Sequence, residues 1–194
     1  MAEVVLFHHT LGLTDGVRAF ADRLRAGGHV VHTPDLFAGA LPGSNEEGFA
    51  LSQKIGDEVI AERATADLPE AAVFAGISFG VMSAQRLAQT HSGARGALLY
   101  EACLPIRGEW AIGPWPAGVP VQIHGKDKDP FFALEGDLDA ARELVKSIGE
   151  DQGQLFLYAG DGHLFTDSSL PSYDPAATDL VVERSLDLLG RIEF

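Results

Sequence analysis

Short apolar runs alternate with longer stretches of helical periodicity along the whole chain, and this alternation restricts the fold more than any other feature. Val4 to His8 is an apolar strand, and Asp15 to Ala26 is helical, with Val17, Phe20, Ala21 and Leu24 on one face. Gly27-Gly28 ends that helix, His29 to Thr33 makes a second strand, and Pro34-Asp35 ends it. Glu46 to Ala64 reads as one long helix with a weak point at Gly56. Ala71 to Ala75, Gly96 to Glu101, Val119 to His124 and Gln154 to Tyr158 are further strands. Helical patterns cover Phe79 to Thr90, Leu138 to Ile148 and Pro175 to Gly190. Strands separated by helices of this length imply a parallel sheet covered on both faces. The expected fold is α/β: a mostly parallel sheet of about six strands with helices on both faces, in one domain over residues 1–194.

Charge and composition narrow the function classes. The formal net charge of −14 argues against nucleic acid as a partner, since phosphate binding needs clustered Lys and Arg. No apolar run is long enough to span a membrane, and Val4-Val5-Leu6-Phe7 is too short for a signal peptide. Cys103 is the one cysteine, which rules out an intrachain disulfide and suits a reducing cytoplasm.

The sharpest chemical signal is Gly76-Ile77-Ser78-Phe79-Gly80, which follows one apolar strand and opens a helix. A G-x-S-x-G match alone is weak, but the strand and helix around it make a nucleophile elbow. The glycines leave room for a tight turn that lifts the serine Oγ above the sheet, beside the free N–H groups of a helix N-terminus. The bland alternative is a glycine-rich turn with an N-capping serine.

A serine hydroxyl needs a base, and in such folds the chain order is serine, acid, histidine. His163 lies in Ala159-Gly160-Asp161-Gly162-His163-Leu164-Phe165, where the last strand enters a long loop, and is the expected base. His124-Gly125-Lys126-Asp127-Lys128-Asp129-Pro130 offers two acids. Asp129 is preferred because Pro130 fixes its loop, with Asp127 the alternative. An oxyanion would take the backbone N–H of Phe79 and a second from the loop after the first strand, for which Thr10 is the candidate. His8 and His9 point to opposite sides and have no third ligand at useful spacing, so no metal is expected. No cofactor is expected either. His29, His32 and His91 read as structural or exposed. The loop from Leu104 to Gly118 brings Trp110 and Trp115, which would wall a pocket, cover the sheet edge or serve an oligomer contact.

These segments together resemble the dienelactone hydrolase family of α/β-hydrolases, over almost the whole chain. The likeness rests on Phe7-His8-His9-Thr10-Leu11-Gly12-Leu13, Thr33-Pro34-Asp35-Leu36-Phe37, the Ser78 elbow, His124 to Phe132, and Gly162-His163-Leu164-Phe165. The resemblance implies that Asp129, within Asp129-Pro130-Phe131, is the acid. It also exposes departures. The namesake enzymes use cysteine where this chain has Ser78. They place a glutamate near the nucleophile where His9 stands here, which puts His9 near the expected pocket. They hold a substrate carboxylate with an arginine four residues after the histidine, and here that position is Asp167. The chain also begins at the strand before the oxyanion loop, without the family's leading strands.

The expected activity is hydrolysis of a small ester or lactone through an acyl-enzyme on Ser78. Two alternatives stand beside it: a non-catalytic hydrolase fold that binds a ligand or partner, and amide or thioester hydrolysis by the same triad.

Overall fold

A computed structural model describes residues 1–193. Six strands form one sheet: β1 (Glu3–Phe7), β2 (Val30–His32), β3 (Ala72–Ile77), β4 (Ala94–Tyr100), β5 (Val121–Lys126) and β6 (Gly153–Tyr158). Their order is β2-β1-β3-β4-β5-β6, and every pairing is parallel. The helices are α1 (Asp15–Ala26), α2 (Asn45–Ile55), α3 (Asp57–Thr65), α4 (Gly80–Thr90), α5 (Asp137–Ile148) and α6 (Pro175–Arg191). None of the described helices is long and apolar enough to cross a membrane.

Alternation along the strands builds two cores. Val5, Phe7, Phe74, Leu99 and Ile123 face the layer that holds α3, α4 and α5. Val4, Leu6, Val73, Ile77, Leu98 and Tyr100 face α1 and α6. Both faces of the central strands are covered, so β3 is buried at every residue, while the edge strand β2 exposes alternate ones. Each large apolar side chain buried here contributes about 1.5–3 kcal/mol. Three helix starts, those of α1, α2 and α6, carry side-chain caps. The Thr14 side chain accepts from Val17 N–H, the Asp174 side chain accepts from Ala177 N–H ahead of Pro175, and on α2 Ser44 Oγ accepts from Glu47 N–H while the Glu47 carboxylate accepts from Gly43 N–H.

One expected helix is two. Gly56 takes φ 87°, ψ 147°, a conformation that ends α2 and opens α3 at once. Its N–H closes α2 on Ser52 O and its carbonyl opens α3 by accepting from Ile60 N–H. Strand β5 also runs past His124 to Lys126, although a lysine is an unexpected strand residue on a buried face. Its stem is buried, its ammonium pairs with Asp174 at 2.7 Å, and it lies 5.2 Å from the Phe165 ring centroid.

The strand order reverses between β1 and β3, since β2 lies on one side of β1 and β3 on the other. In open parallel sheets the crevice beyond the carboxyl ends at such a switch is where ligands bind. The loop after β1 and the turn after β3 meet at that crevice.

Two core histidines tie the fold to pH. His8 accepts Leu36 N–H at Nε2 and lies against His9 O at 2.7 Å through Nδ1. His124 contacts the Tyr158 hydroxyl and stacks on Phe156. Burial pushes His8 down to about 4 and His124 down to about 3 from the ordinary 6.5. Both are lowered on folding, so the stability they lend is full above about 6.5 and is lost as pH falls toward those values. Urea denaturation should therefore show stability declining between pH 6.5 and 4.5, ahead of the carboxylates. A flat profile over that range would contradict this assignment.

Candidate active site

The turn after β3 is fixed by crowding. A Cβ on Gly76 would lie 2.4 Å from Gly80 O, and one on Gly80 would lie 2.3 Å from Phe7 O. Strand β3, helix α4 and strand β1 thus approach backbone to backbone. Between the two glycines Ser78 takes φ 49°, the left-handed region that a non-glycine residue enters at a cost of about 1–3 kcal/mol. Its N–H donates to Tyr100 O at 2.7 Å and its carbonyl accepts from Val81 N–H. The strain leaves Ser78 Oγ above the sheet.

The three residues expected as nucleophile, base and acid meet there. Ser78 Oγ lies 2.8 Å from His163 Nε2, and His163 Nδ1 lies 2.6 Å from Asp129 Oδ2. Asp129 is fully buried, and its other oxygen accepts from Phe131 and Phe132 N–H, so the turn at Pro130 aims it. Asp127 is exposed and accepts from Gly160 N–H, which makes it a turn anchor beside β6. With Nδ1–H given to Asp129, Nε2 is free to accept the serine proton.

A fourth group was not foreseen. Glu101, just beyond β4, is 1% exposed. Its Oε2 accepts from the N–H groups of Leu164 and Phe165 and lies 3.7 Å from His163 Nδ1, while Oε1 accepts from the Thr166 hydroxyl. The only hint in the sequence is a charged residue ending an otherwise apolar strand. Burial pushes Glu101 up to about 7, against the pull of His163. Burial also acts to lower His163, but the Asp129 hydrogen bond and the charges of Glu101, Asp129 and Asp137 outweigh it, so His163 is raised above its ordinary value.

Phe79 and Thr10 border the same cavity as Ser78. Among the described residues neither backbone N–H donates to a protein acceptor, as an oxyanion pair requires. Helix α2 fixes the Thr10 loop by close contact. A Cβ on Gly48 would lie 2.1 Å from Thr10 O, and the Thr10 hydroxyl donates to Asn45 at 2.6 Å.

The other expected pocket residues lie elsewhere. His9 is buried and donates from Nε2 to Asp167 at 2.7 Å, because the side chain points away from the cavity toward α1. Burial would raise Asp167, but hydrogen bonds from His9, Ser169 and Thr14 hold it at about 2. It fills the space over Gly16, so it braces the β1 loop and offers no substrate contact. Trp110 is 81% exposed. Trp115 is buried in the core and donates to Val119 O at 2.7 Å, which turns its indole away from Ser78. From that loop only Leu104 lines the cavity, held by two hydrogen bonds to buried Gln85. Phe49, Val81, Met82, Ala102 and Phe131 supply the remaining apolar wall of a cavity of about 190 Å³.

Ligand atoms of Glu101, Asp129 and His163 lie within 4.8 Å of one another, near enough to share a cation. Those atoms are already engaged by backbone N–H groups and by the His163–Asp129 bond, so the set suits a proton better than a metal. Cys103 is buried and its thiol is raised by burial, which removes it as a rival nucleophile.

No protein-family model matches the chain, and no curated protein matches it. Solved structures do. A dienelactone hydrolase-like promiscuous phosphotriesterase from metagenomic libraries aligns with TM-score 0.72 and 18% identity, covering 100% of this chain and 87% of that one. A Klebsiella pneumoniae protein assigned as a dienelactone hydrolase aligns with TM-score 0.70 and 16% identity, covering 98% and 87%. A cold-adapted esterase from an Arctic intertidal metagenomic library gives TM-score 0.62 and 18% identity, covering 97% and 83%. At these identities the likeness establishes the α/β-hydrolase fold.

The electrostatics of His163 can be read directly. In an NMR titration its imidazole should titrate above 6.5, and in Asp129→Asn its midpoint should fall, because burial remains while the strongest opposing contact is lost. An unchanged midpoint in the variant would contradict the pairing.

Proposed function

We propose that this protein hydrolyses small neutral esters or lactones through an acyl-enzyme on Ser78. The observation that carries the reading is the hydrogen-bonded series Ser78–His163–Asp129 ending in an open cavity beside two unengaged backbone N–H groups. The esterases among the similar folds support it. Ser78 Oγ attacks the carbonyl carbon as its proton passes to His163 Nε2, and the carbonyl oxygen takes the N–H groups of Phe79 and Thr10. His163 returns the proton to the leaving oxygen, the C–O bond breaks, and the alcohol departs. Water then gives a proton to His163 and its oxygen to the acyl carbon, and His163 passes that proton to Ser78 Oγ as the acyl C–Oγ bond breaks, which releases the acid and frees Ser78.

Charge and shape bear on the substrate. The ionisable cavity-lining side chains besides His163 are the acids Glu101, Glu135 and Asp137, with no Lys or Arg. An anionic substrate would be repelled, since a buried carboxylate needs a cationic partner. A second cavity of about 320 Å³, bordered by Ile60 and Ala64 of α3 and, among charged groups, by Asp57, Glu58 and Arg86, shares Phe79, Met82 and Leu104 with the first. His163 does not border it. The leaving oxygen must sit beside His163, so the acyl group extends away from it, along Phe79 and over the apolar floor of this groove.

Fluorophosphonate should label Ser78 alone, and Ser78→Ala should lose at least about a thousandfold in p-nitrophenyl ester turnover while keeping its fold. Because His163 must be unprotonated to accept, kcat/KM should rise with pH through a midpoint above 6.5. Unlabelled Ser78 in folded protein would refute the reading.

Across acyl esters, kcat/KM should grow up to about fourfold per added methylene until the groove fills, on about 0.8 kcal/mol per buried CH₂. An ester whose leaving alcohol carries a carboxylate should lag its neutral isostere, because that group sits beside Glu101, Glu135 and Asp137. A flat series, with no charge preference, would remove the groove and the acid rim from the account of specificity.

A further inference from the structure

We propose that Glu101 is a positioning residue for His163: a second carboxylate, beside Asp129, that docks the loop carrying the base and places negative charge next to Nδ1. The proposal rests on the esterase reading above.

The sheet itself creates the need. Ser78 follows β3 and His163 follows β6, three strands away in the sheet order. At about 4.8 Å per strand the base must reach back roughly 14 Å to the nucleophile. The β4 end lies between them, and Glu101 stands there with both oxygens turned toward the returning loop. The three residues it binds, Leu164, Phe165 and Thr166, are those directly after His163. Leu164 has φ 58°, so consecutive N–H groups curl around the carboxylate as an anion-binding nest.

Docking alone does not account for a carboxylate. A neutral glutamine oxygen could accept the same N–H groups without the cost of burying a charge. What only a carboxylate adds is negative charge 3.7 Å from His163 Nδ1, on a group that becomes cationic when Ser78 gives up its proton. Asp129 takes the Nδ1–H itself, at 2.6 Å. The imidazole therefore has two acids at one edge and the serine at the other. The remaining titratable groups facing this cluster are Asp137, at the start of α5, and Glu135 beside it, both acids. No lysine or arginine borders the cavity to cancel their field. Burial raises Glu101 to about 7 and neighbouring acids raise His163, and at 3.7 Å the two ionisations are coupled: an imidazolium favours the carboxylate, and the carboxylate favours the imidazolium.

Glu101→Gln keeps size and an acceptor oxygen while removing the charge. In folded variant protein the acid limb of kcat/KM, and of the fluorophosphonate labelling rate, should move down by about one pH unit as His163 loses a stabilising neighbour. The plateau rate should fall about tenfold. Asp129→Asn should retain activity that Asp129→Asn/Glu101→Gln loses, so the double loss should differ from the product of the single losses. A folded Glu101→Gln with an unmoved acid limb and multiplicative losses would overturn the proposal and leave Glu101 as a loop clamp. Failure of the wild type to label or turn over would instead refute the esterase reading. If Glu101→Gln does not fold, ¹³C titration of wild-type Glu101 decides. A carboxyl that ionises together with His163 supports the proposal, and one that stays protonated across the active pH range overturns it.

Discussion

Backbone crowding at one junction governs the site. Gly76, Gly80 and Phe7 bring β3, α4 and β1 closer together than any side chain would permit. With those backbones so close, the chain can turn from strand to helix only by placing Ser78 at positive φ. The strain is borne by the two cores above and below the sheet, which hold β3 buried along its whole length. The half-buried, aimed hydroxyl is therefore a consequence of backbone packing around the turn.

The same sheet distributes the remaining groups. Neighbouring strands β3, β4, β5 and β6 end in turn at Ser78, Glu101, the Asp129 loop and the His163 loop, and β1 ends at Thr10. Parallel strands put all these ends on one side of the sheet, so groups far apart in sequence converge at one edge. The loop that must travel farthest is also the one with the most polar anchors. Glu101 holds its start, and the Lys126–Asp174 pair closes its far end. The environment that results is acidic, which suits a histidine that must become cationic in the proposed reaction.

Much of this was legible in the sequence because it is local. Period-two and period-3.6 patterns located the strands and helices to within a few residues, and G-x-S-x-G in its strand–helix setting located Ser78. Asp129 could be preferred over Asp127 because Pro130 fixes a turn, and the two side chains do divide into one buried and one exposed. What sequence could not give were pairings that depend on three-dimensional neighbours. His9 meets Asp167, 158 positions further along the chain, so His9 looked like a candidate for a pocket that it does not line. Trp110 and Trp115 share one loop, yet one is exposed and the other is core, a difference set by where the loop folds back on β5. Glu101 carries no motif, and its partners lie more than sixty residues ahead. The Gly56 break was visible only as a weak point, because a glycine can sit inside a helix as well as end one.

The central claim is that Ser78 carries the acyl group. Intact-protein and peptide mass spectrometry after acid quench of a reaction with p-nitrophenyl acetate tests it most directly. The account predicts a burst of p-nitrophenolate stoichiometric with enzyme, and one added acetyl group on the peptide holding Ser78. That adduct should be absent in Ser78→Ala and should accumulate in His163→Ala only if the ester is reactive enough to acylate without the base. Turnover with no acyl adduct on Ser78, or with the adduct on another side chain, would contradict the account.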